Sequence, residues 1–387
     1  MGIVLRGGTV ITAIDCYRAD IRMDNERITA IGLGICQPDD TVIDVDGLML
    51  LPGGIDAHTH FDLPAGDTVT ADDFASGTLA AVAGGTTTVL DYATQFKGER
   101  LRDAFHNWQA KASGKSYADY GFHMAITEWN EAVAAEMPWL VSQAGITSIK
   151  LYMAYKNVLQ VDDGTLLKAL QHSRECGILV CLHCENGDVI YELVHQLLSQ
   201  GNTGPAYHPL SRPAVVEEEA VGRAIALARV AEAPLYIVHL SSGGALKVVA
   251  DARLRGEPVF AETCPQYLLL DDECYHTGSF EAAKFVMSPP LRRPADQEKL
   301  WNGMIRGMID TVATDHCSFN FKGQKDAGLT DFSRIPNGIP GAEHRLALLF
   351  TNGVVAGPKG AAQRLGLKRT TLLSRMKRLG IDKESLV

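Results

Sequence analysis

The sequence predicts an α/β chain built around a (β/α)₈ TIM barrel, with a small N-terminal β-subdomain and a short C-terminal helical tail. Three observations predict it. Eight apolar, β-rich runs recur from residue 53 onward, each followed by a helical stretch, most of them about 30 residues apart. No GxGxxG follows the early strands, which weakens the doubly wound sheet as an alternative. Histidines, a lysine and an aspartate sit inside or at the ends of five of those runs, where a barrel keeps its chemistry.

Residues 1–52 read as the β-subdomain. "GIVLRGGTVIT" and "ADIRMDNERITAIG" are rich in strand formers, with a turn at Asp24-Asn25, and the whole reads as a β-meander. The barrel spans 53–350. Its strands are "GGIDAHTHF" (53–61), "TTTVLDYA" (86–93), "YGFHMAIT" (120–127), "TSIKLYMAY" (147–155), "ILVCLHCE" (178–185), "PLYIVHLS" (234–241), "PVFAETCPQYLLL" (258–270) and "DTVATDHCSF" (310–319). The stretch 187–233 is longer than one helix and is expected to hold insertions. Residues 351–387 form the tail. Within it, 358–387 carry eight Lys or Arg against two Asp or Glu, a local net of +6, leaving −16 for the rest. "KGAAQRLG" and "KRTTLLSRMKRLG" read as two short helices around a glycine-containing turn, a helix-turn-helix pattern.

Composition narrows the function. The 387 residues are 46% hydrophobic, enough for a large core, and the formal net charge of −10 argues against nucleic acid as the main partner of the whole chain. No apolar run approaches a membrane span, and "MGIVLRGGTV" lacks the order of a signal peptide. Arg6 stands where a myristoylation motif needs Ser or Thr. The eight cysteines are scattered, so they read as reduced and the chain as cytoplasmic.

The polar residues on the strands form a constellation. His58 and His60 are two apart, so both point into the barrel. Lys150, His183, His239 and Asp315 sit on the fourth, fifth, sixth and eighth runs. One buried histidine is ordinary core; four with an aspartate, and Lys150, on five strands read as a metal site. That is too many ligands for one open tetrahedral ion, and it suits two ions sharing ligands. Lys150 lies within an apolar strand, where an unpaired ammonium is costly. Burial and neighbouring cations favour its neutral amine, which can add CO₂ to form a carbamate able to bridge two metals. Cys181 and Cys184 flank His183 as CxxC, but they face opposite sides of a strand and read as core packing. Cys317 also reads as structural, and His106, His172 and His195 as surface residues of helices.

"GGIDAHTHF", "GGTTTVLDYA", "IKLYMAYKN", "VCLHCEN", "YIVHLSS", "AETCPQYLLLDD", "KFVMSPPLR" and "VATDHCSF" resemble the D-hydantoinase/dihydropyrimidinase group of the amidohydrolase superfamily, over residues 1 to about 350. The resemblance implies a binuclear zinc centre. His58, His60 and Asp315 are expected to hold one metal, His183 and His239 the other, with carboxylated Lys150 and a hydroxide bridging. It implies hydrolytic ring opening of cyclic ureides, such as 5-substituted hydantoins and dihydropyrimidines, to N-carbamoyl amino acids. Asp315 would move the proton, Tyr155 would donate to the oxyanion, and backbone groups of Ser288 and Asn337 would hold the cyclic imide edge. Loops 62–72 and 153–160 would wall the 5-substituent, with Leu63 and Leu159 making that wall apolar. A homo-oligomer, dimer or tetramer, is implied. Allantoinase and dihydroorotase chemistry are the rivals within the class. Scaffold relatives that have lost their metal ligands are a poor match, because all six are present.

The resemblance stops near "LALLFTNGVVAG", about a hundred residues before such chains usually end. Beyond it, the tail resembles the Fis-type helix-turn-helix of bacterial transcription activators. An inactive truncated hybrid with a DNA-binding tail is an alternative to the hydrolase reading; the tail itself reads either as a DNA-contacting module on an enzyme or barrel sensor, or as the mere end of a recombined, truncated chain. The second is favoured, because one short +6 helix-turn-helix binds DNA weakly unless dimerised. On that reading the N-terminal meander lacks partner strands and exposes edges.

Overall fold

The computed structural model describes residues 2–12 and 15–350. The tail expected over 351–387, with its DNA-contacting reading, lies outside the described residues. Two compact units divide between Gly54 and Ile55.

The N-terminal unit is a five-stranded sheet of β1 (Ile3–Ile11), β2 (Cys16–Asp24), β3 (Arg27–Gly32), β4 (Thr41–Asp44) and β5 (Met49–Leu50). Only β1–β2–β3 form the expected meander. β4 and β5 instead run parallel to β1, on the far side from β2. The turn falls one residue later than expected, at Asn25 and Glu26. Their φ values of 47° and 62° give the left-handed pair that matches the twist of a tight hairpin. Asp20 is buried and accepts the Gly7 and Gly34 amides at 2.8 and 3.0 Å, tying both ends of the meander.

The second unit is the barrel. Its strands are β6 (Gly54–Thr59), β9 (Thr86–Gln95), β10 (Asp119–Ile126), β11 (Ser148–Tyr152), β12 (Leu179–His183), β13 (Leu235–Ile237), β14 (Val259–Thr263) and β15 (Thr311–Val312); a small hairpin of β7 (Pro64–Ala65) and β8 (Thr68–Val69) follows β6. All eight barrel strands are parallel neighbours in chain order. The ring closes through a parallel bridge between Thr59 and His316, where the His60 amide donates to His316 O at 2.8 Å.

Alternation explains the layers. Ile149 and Leu151 of β11, Val180 and Leu182 of β12, and Met124 of β10 belong to one buried cluster with Met137, Leu170 and Ala224 of the surrounding helices. Each of the Val, Leu, Ile and Met side chains among them contributes about 1.5–3 kcal/mol on burial. The intervening residues, Ala125, Lys150, Tyr152, Cys181 and His183, point the other way. Helix starts are set by local caps: Asp162 accepts the Thr165 amide, and Asp73 and Ser76 form a reciprocal capping box. The expected insertion at 187–233 resolves into helices Gly187–Ser199, His208–Ser211 and Ala214–Ala231, with a 3₁₀ turn at Pro205–Tyr207.

Several strands are shorter than expected. The seventh ends at Thr263, because Pro265 opens a short helix, Pro265–Leu269, with its fixed φ at the first position. The eighth is reduced to Thr311–Val312, so Asp315 lies beyond its end. His106 and His195 are exposed; His172 is half-buried and donates to Ala134 O at 2.8 Å rather than facing solvent.

Candidate metal centre

The barrel gathers the six predicted donors at one end. His58 Nε2 lies 3.2 Å from His60 Nε2, 3.1 Å from Asp315 Oδ1 and 2.9 Å from Lys150 Nζ. His60 Nε2 is 3.2 Å from the same Asp315 oxygen. His58, His60 and Asp315 form the group among the described residues whose ligand atoms, one from each of three side chains, all lie within 4.8 Å of one another. Across the mouth, His183 Nδ1 faces His239 Nε2 at 3.0 Å, and the His58 and His239 rings are 5.6 Å apart. Lys150 sits over the rings of Tyr92 and Tyr152, at 4.3 and 5.1 Å.

Two of the ligand histidines, His58 and His183, are aimed by a carboxylate behind them. His58 Nδ1 is paired with Glu262 at 2.7 Å, leaving Nε2 for the site. Glu262 also accepts the His239 amide and the Tyr236 hydroxyl. His183 Nε2 is paired with Glu185 at 2.9 Å, which leaves Nδ1 free, and Arg212 donates to the same Glu185 oxygen at 2.7 Å. Such contacts fix the tautomer and raise ligand basicity.

The backbone adds aim of its own. His239, Asp315 and Tyr155 take φ values of 39°, 51° and 67°, in the left-handed region that non-glycine residues avoid. Each costs on the order of 1–3 kcal/mol and persists only where surroundings impose it.

Electrostatics favour the ligands other than His58 in their coordinating forms. Burial pulls His60 down to about 3 and His239 well below the usual imidazole range; His183 moves the same way. His58 differs: burial pulls it down, but the Asp315 and Glu262 carboxylates outweigh that and raise it. Burial lowers Lys150, against the pull of Asp315 and Glu262, and so favours the neutral amine. Asp315 is pushed up by burial yet held well below the carboxylate range by His58, His60 and His239. Four imidazoles, a carboxylate and an amine therefore converge within contact distances. His60 Nδ1 and His239 Nδ1 are buried with no hydrogen-bond partner. That donor set fits cations better than it satisfies itself.

The site opens into a cavity of about 890 Å³ lined by Tyr155, Ser288, Asn337, Leu63, Leu159 and Asp315 among others. All three predicted substrate-contacting residues thus share one wall system with the donors. Burial pushes the Tyr155 hydroxyl up to about 12, against Arg212, so it is a donor at neutral pH. Cys317 lines the same cavity. Cys181 and Cys184 are free and buried; Cys181 neighbours Lys150 and Glu262, whereas Cys184 neighbours Glu217, so they do face opposite sides.

Sequence reasoning missed Glu185, Glu262, Arg212 and Tyr92. Glu262 carried a signal of the same kind as Lys150, a charge within an apolar strand run. Arg212 carried none, since it reaches Glu185 from an insertion.

Residues 49–330 match the family described as Amidohydrolase family. A D-hydantoinase of Geobacillus stearothermophilus is 48% identical over 354 residues, covering 92% of this chain and 75% of that protein. A D-phenylhydantoinase of Escherichia coli is 42% identical, covering 92% and 77%. The crystal structure of a dihydropyrimidinase from Brevibacillus agri is 48% identical with a TM-score of 0.92, covering 98% of this chain and 82% of that one.

Proposed function

The chain belongs to the amidohydrolase family, and on that premise we propose that it opens cyclic ureides by hydrolysis, acting on 5-substituted hydantoins and dihydropyrimidines to yield N-carbamoyl amino acids. The convergence of His58, His60, Lys150, His183, His239 and Asp315 at one barrel mouth is the observation that carries this reading. His58, His60 and Asp315 would hold one divalent metal, and His183 and His239 the second. Zinc suits this imidazole-rich set. Lys150, as its neutral amine, would add CO₂ and lose a proton to become an anionic carbamate, a ligand suited to a two-metal site. When bound, the metals would supply Lewis acidity, lowering the pKa of a water and polarising the ring carbonyl.

The chain's own residues do the rest. Asp315 takes the proton from the attacking water and returns it to the ring nitrogen as the C–N bond breaks. Tyr155, protonated at neutral pH, donates to the oxygen on which negative charge develops. Backbone groups of Ser288 and Asn337 hold the imide edge, in loops rather than strands, where such groups are free for ligand. Leu63 and Leu159 face the substituent with apolar surface.

Eight free cysteines suit a reducing compartment, the cytoplasm; among the described residues no helix is long and apolar enough to cross a membrane. An assembly of two or four copies follows from the family resemblance, and sedimentation reads it directly.

The experiment supplies 5-phenylhydantoin, dihydrouracil, allantoin and dihydroorotate to protein reconstituted with zinc and bicarbonate. Ring opening of either of the first two supports the proposal. Turnover of allantoin or dihydroorotate alone sinks it in favour of a sibling activity.

A further inference from the structure

The carbonyl oxygens along Phe285–Pro289 are taken in turn by buried donors. Tyr275 Oη donates to Phe285 O at 3.0 Å, Lys325 Nζ to Val286 O at 2.9 Å, His208 Nε2 to Met287 O at 2.8 Å and Tyr267 Oη to Pro289 O at 2.8 Å. Ser288 O accepts from none of the described residues, and its hydroxyl lies beside the Tyr155 hydroxyl. The loop is therefore fixed on both sides of the residue whose carbonyl is left free.

Lys325 does more than the other donors. Its ammonium also reaches Pro336 O at 3.1 Å, one residue before Asn337. The Gly338 amide shares Val286 O with it at 3.0 Å. One side chain thus joins the loop carrying Ser288 to the loop carrying Asn337. The cost is evident. Lys325 is 2% exposed, and burial pulls it down to about 8. The titratable groups near it are the Cys317 thiol and the His208 imidazole, neither a carboxylate. Burial holds His208 down to about 3, so it is neutral and adds no second charge. An apolar side chain of the same length would fill this space without burying an ammonium. It could not bridge two carbonyls.

We propose that Lys325 is a positioning residue for the substrate: by donating to Val286 O and Pro336 O, it sets the spacing between the Ser288 and Asn337 backbone groups that hold the cyclic ureide. The proposal rests on the reading above, that these two groups hold the ring. Lys325 itself touches no reacting atom; it acts through the two loops.

The test compares the zinc-loaded wild type with Lys325→Met and Lys325→Gln by amide hydrogen exchange and by steady-state ring opening of dihydrouracil and 5-phenylhydantoin. In Lys325→Met, exchange across 285–290 and 335–340 speeds by about tenfold or more, the scale of one lost charged hydrogen bond, while 148–152 is unchanged. Its kcat/KM falls by about tenfold, carried more by KM than by kcat, as expected when binding geometry rather than chemistry is loosened. Lys325→Gln, which keeps a donor for one carbonyl, recovers part of both effects, and it carries the same comparison if the methionine variant does not fold. Wild-type exchange in both loops of the variant, or open loops with unchanged KM, overturns the proposal. Absence of wild-type turnover on both ureides sinks the ring-opening reading, and the substrate half of the proposal with it.

Discussion

Replacing Glu185 by Gln removes one negative charge from the centre of a buried network while keeping its shape. Glu185 is fully buried and accepts two charge-assisted bonds on one oxygen, from Arg212 at 2.7 Å and His183 at 2.9 Å. Burial alone would push its carboxyl up; Arg212, His183 and Arg292 overcome that and bring it down to about 2. The glutamine leaves the Arg212 guanidinium buried without its counter-charge, beside the Tyr155 ring at 5.4 Å. Breaking a buried pair from one side costs about 3–5 kcal/mol. Loss of the carboxylate behind a ligand histidine weakens metal affinity by about 10–100-fold. Urea unfolding of metal-free protein measures the first effect, and chelator competition on loaded protein the second. The weakened ion should be the one held by His183 and His239. The reasoning fails if the variant unfolds within about 0.5 kcal/mol of wild type and both ions hold equally well.

Other consequences are as direct. Tyr155→Phe should lower kcat by about 10²–10³ with two metals still bound, since only the oxyanion donor is lost; an unchanged kcat would make Tyr155 a wall residue. Asp91 accepts from Thr59 Oγ1, the Phe61 amide and Trp108 Nε1, and burial raises it to about 7. A raised carboxyl contributes stability that is full below its unfolded pKa near 4 and is lost as pH rises through 7. Asp91→Asn should therefore cost about 1–3 kcal/mol at pH 5, with the difference from wild type shrinking toward pH 8 in urea melts followed by Trp108 fluorescence; a pH-independent difference would contradict this. Gly77→Ala should destabilise by about 1–3 kcal/mol despite alanine's better helix propensity. Its Cβ would fall 2.1 Å from the Phe61 ring, next to His60, and a neutral or higher melting temperature would show that the ring yields.

The barrel and its donors were legible because their signals are local. His58 and His60 declare a shared face by two-residue spacing, and Lys150 stands out as a charge in an apolar run. The strand ends were less legible, because an apolar run continues past the last ladder bond. Residues 264–270 stay apolar while Pro265 turns them into helix. β4 and β5 misled for a different reason: whether a short strand joins β1 parallel or antiparallel is set by the path of the connecting loop, not by its own residues. The partners behind the ligands were hidden by distance along the chain. Glu262 meets His58 across 204 residues, and Lys325 meets Val286 across 39. The left-handed φ values at His239 and Asp315 left only a faint sequence mark, since His and Asp enter that region more readily than most residues but usually do not.

The most direct test of the account is metal stoichiometry and dihydrouracil turnover, measured on one sample with and without bicarbonate, for wild type and Lys150→Ala. A carbamate bridge predicts two metals per chain and bicarbonate-dependent turnover in the wild type, with the second metal and the turnover both lost in the variant. Two metals and undiminished turnover in Lys150→Ala would contradict it, and would make Lys150 a buried amine with no part in the centre.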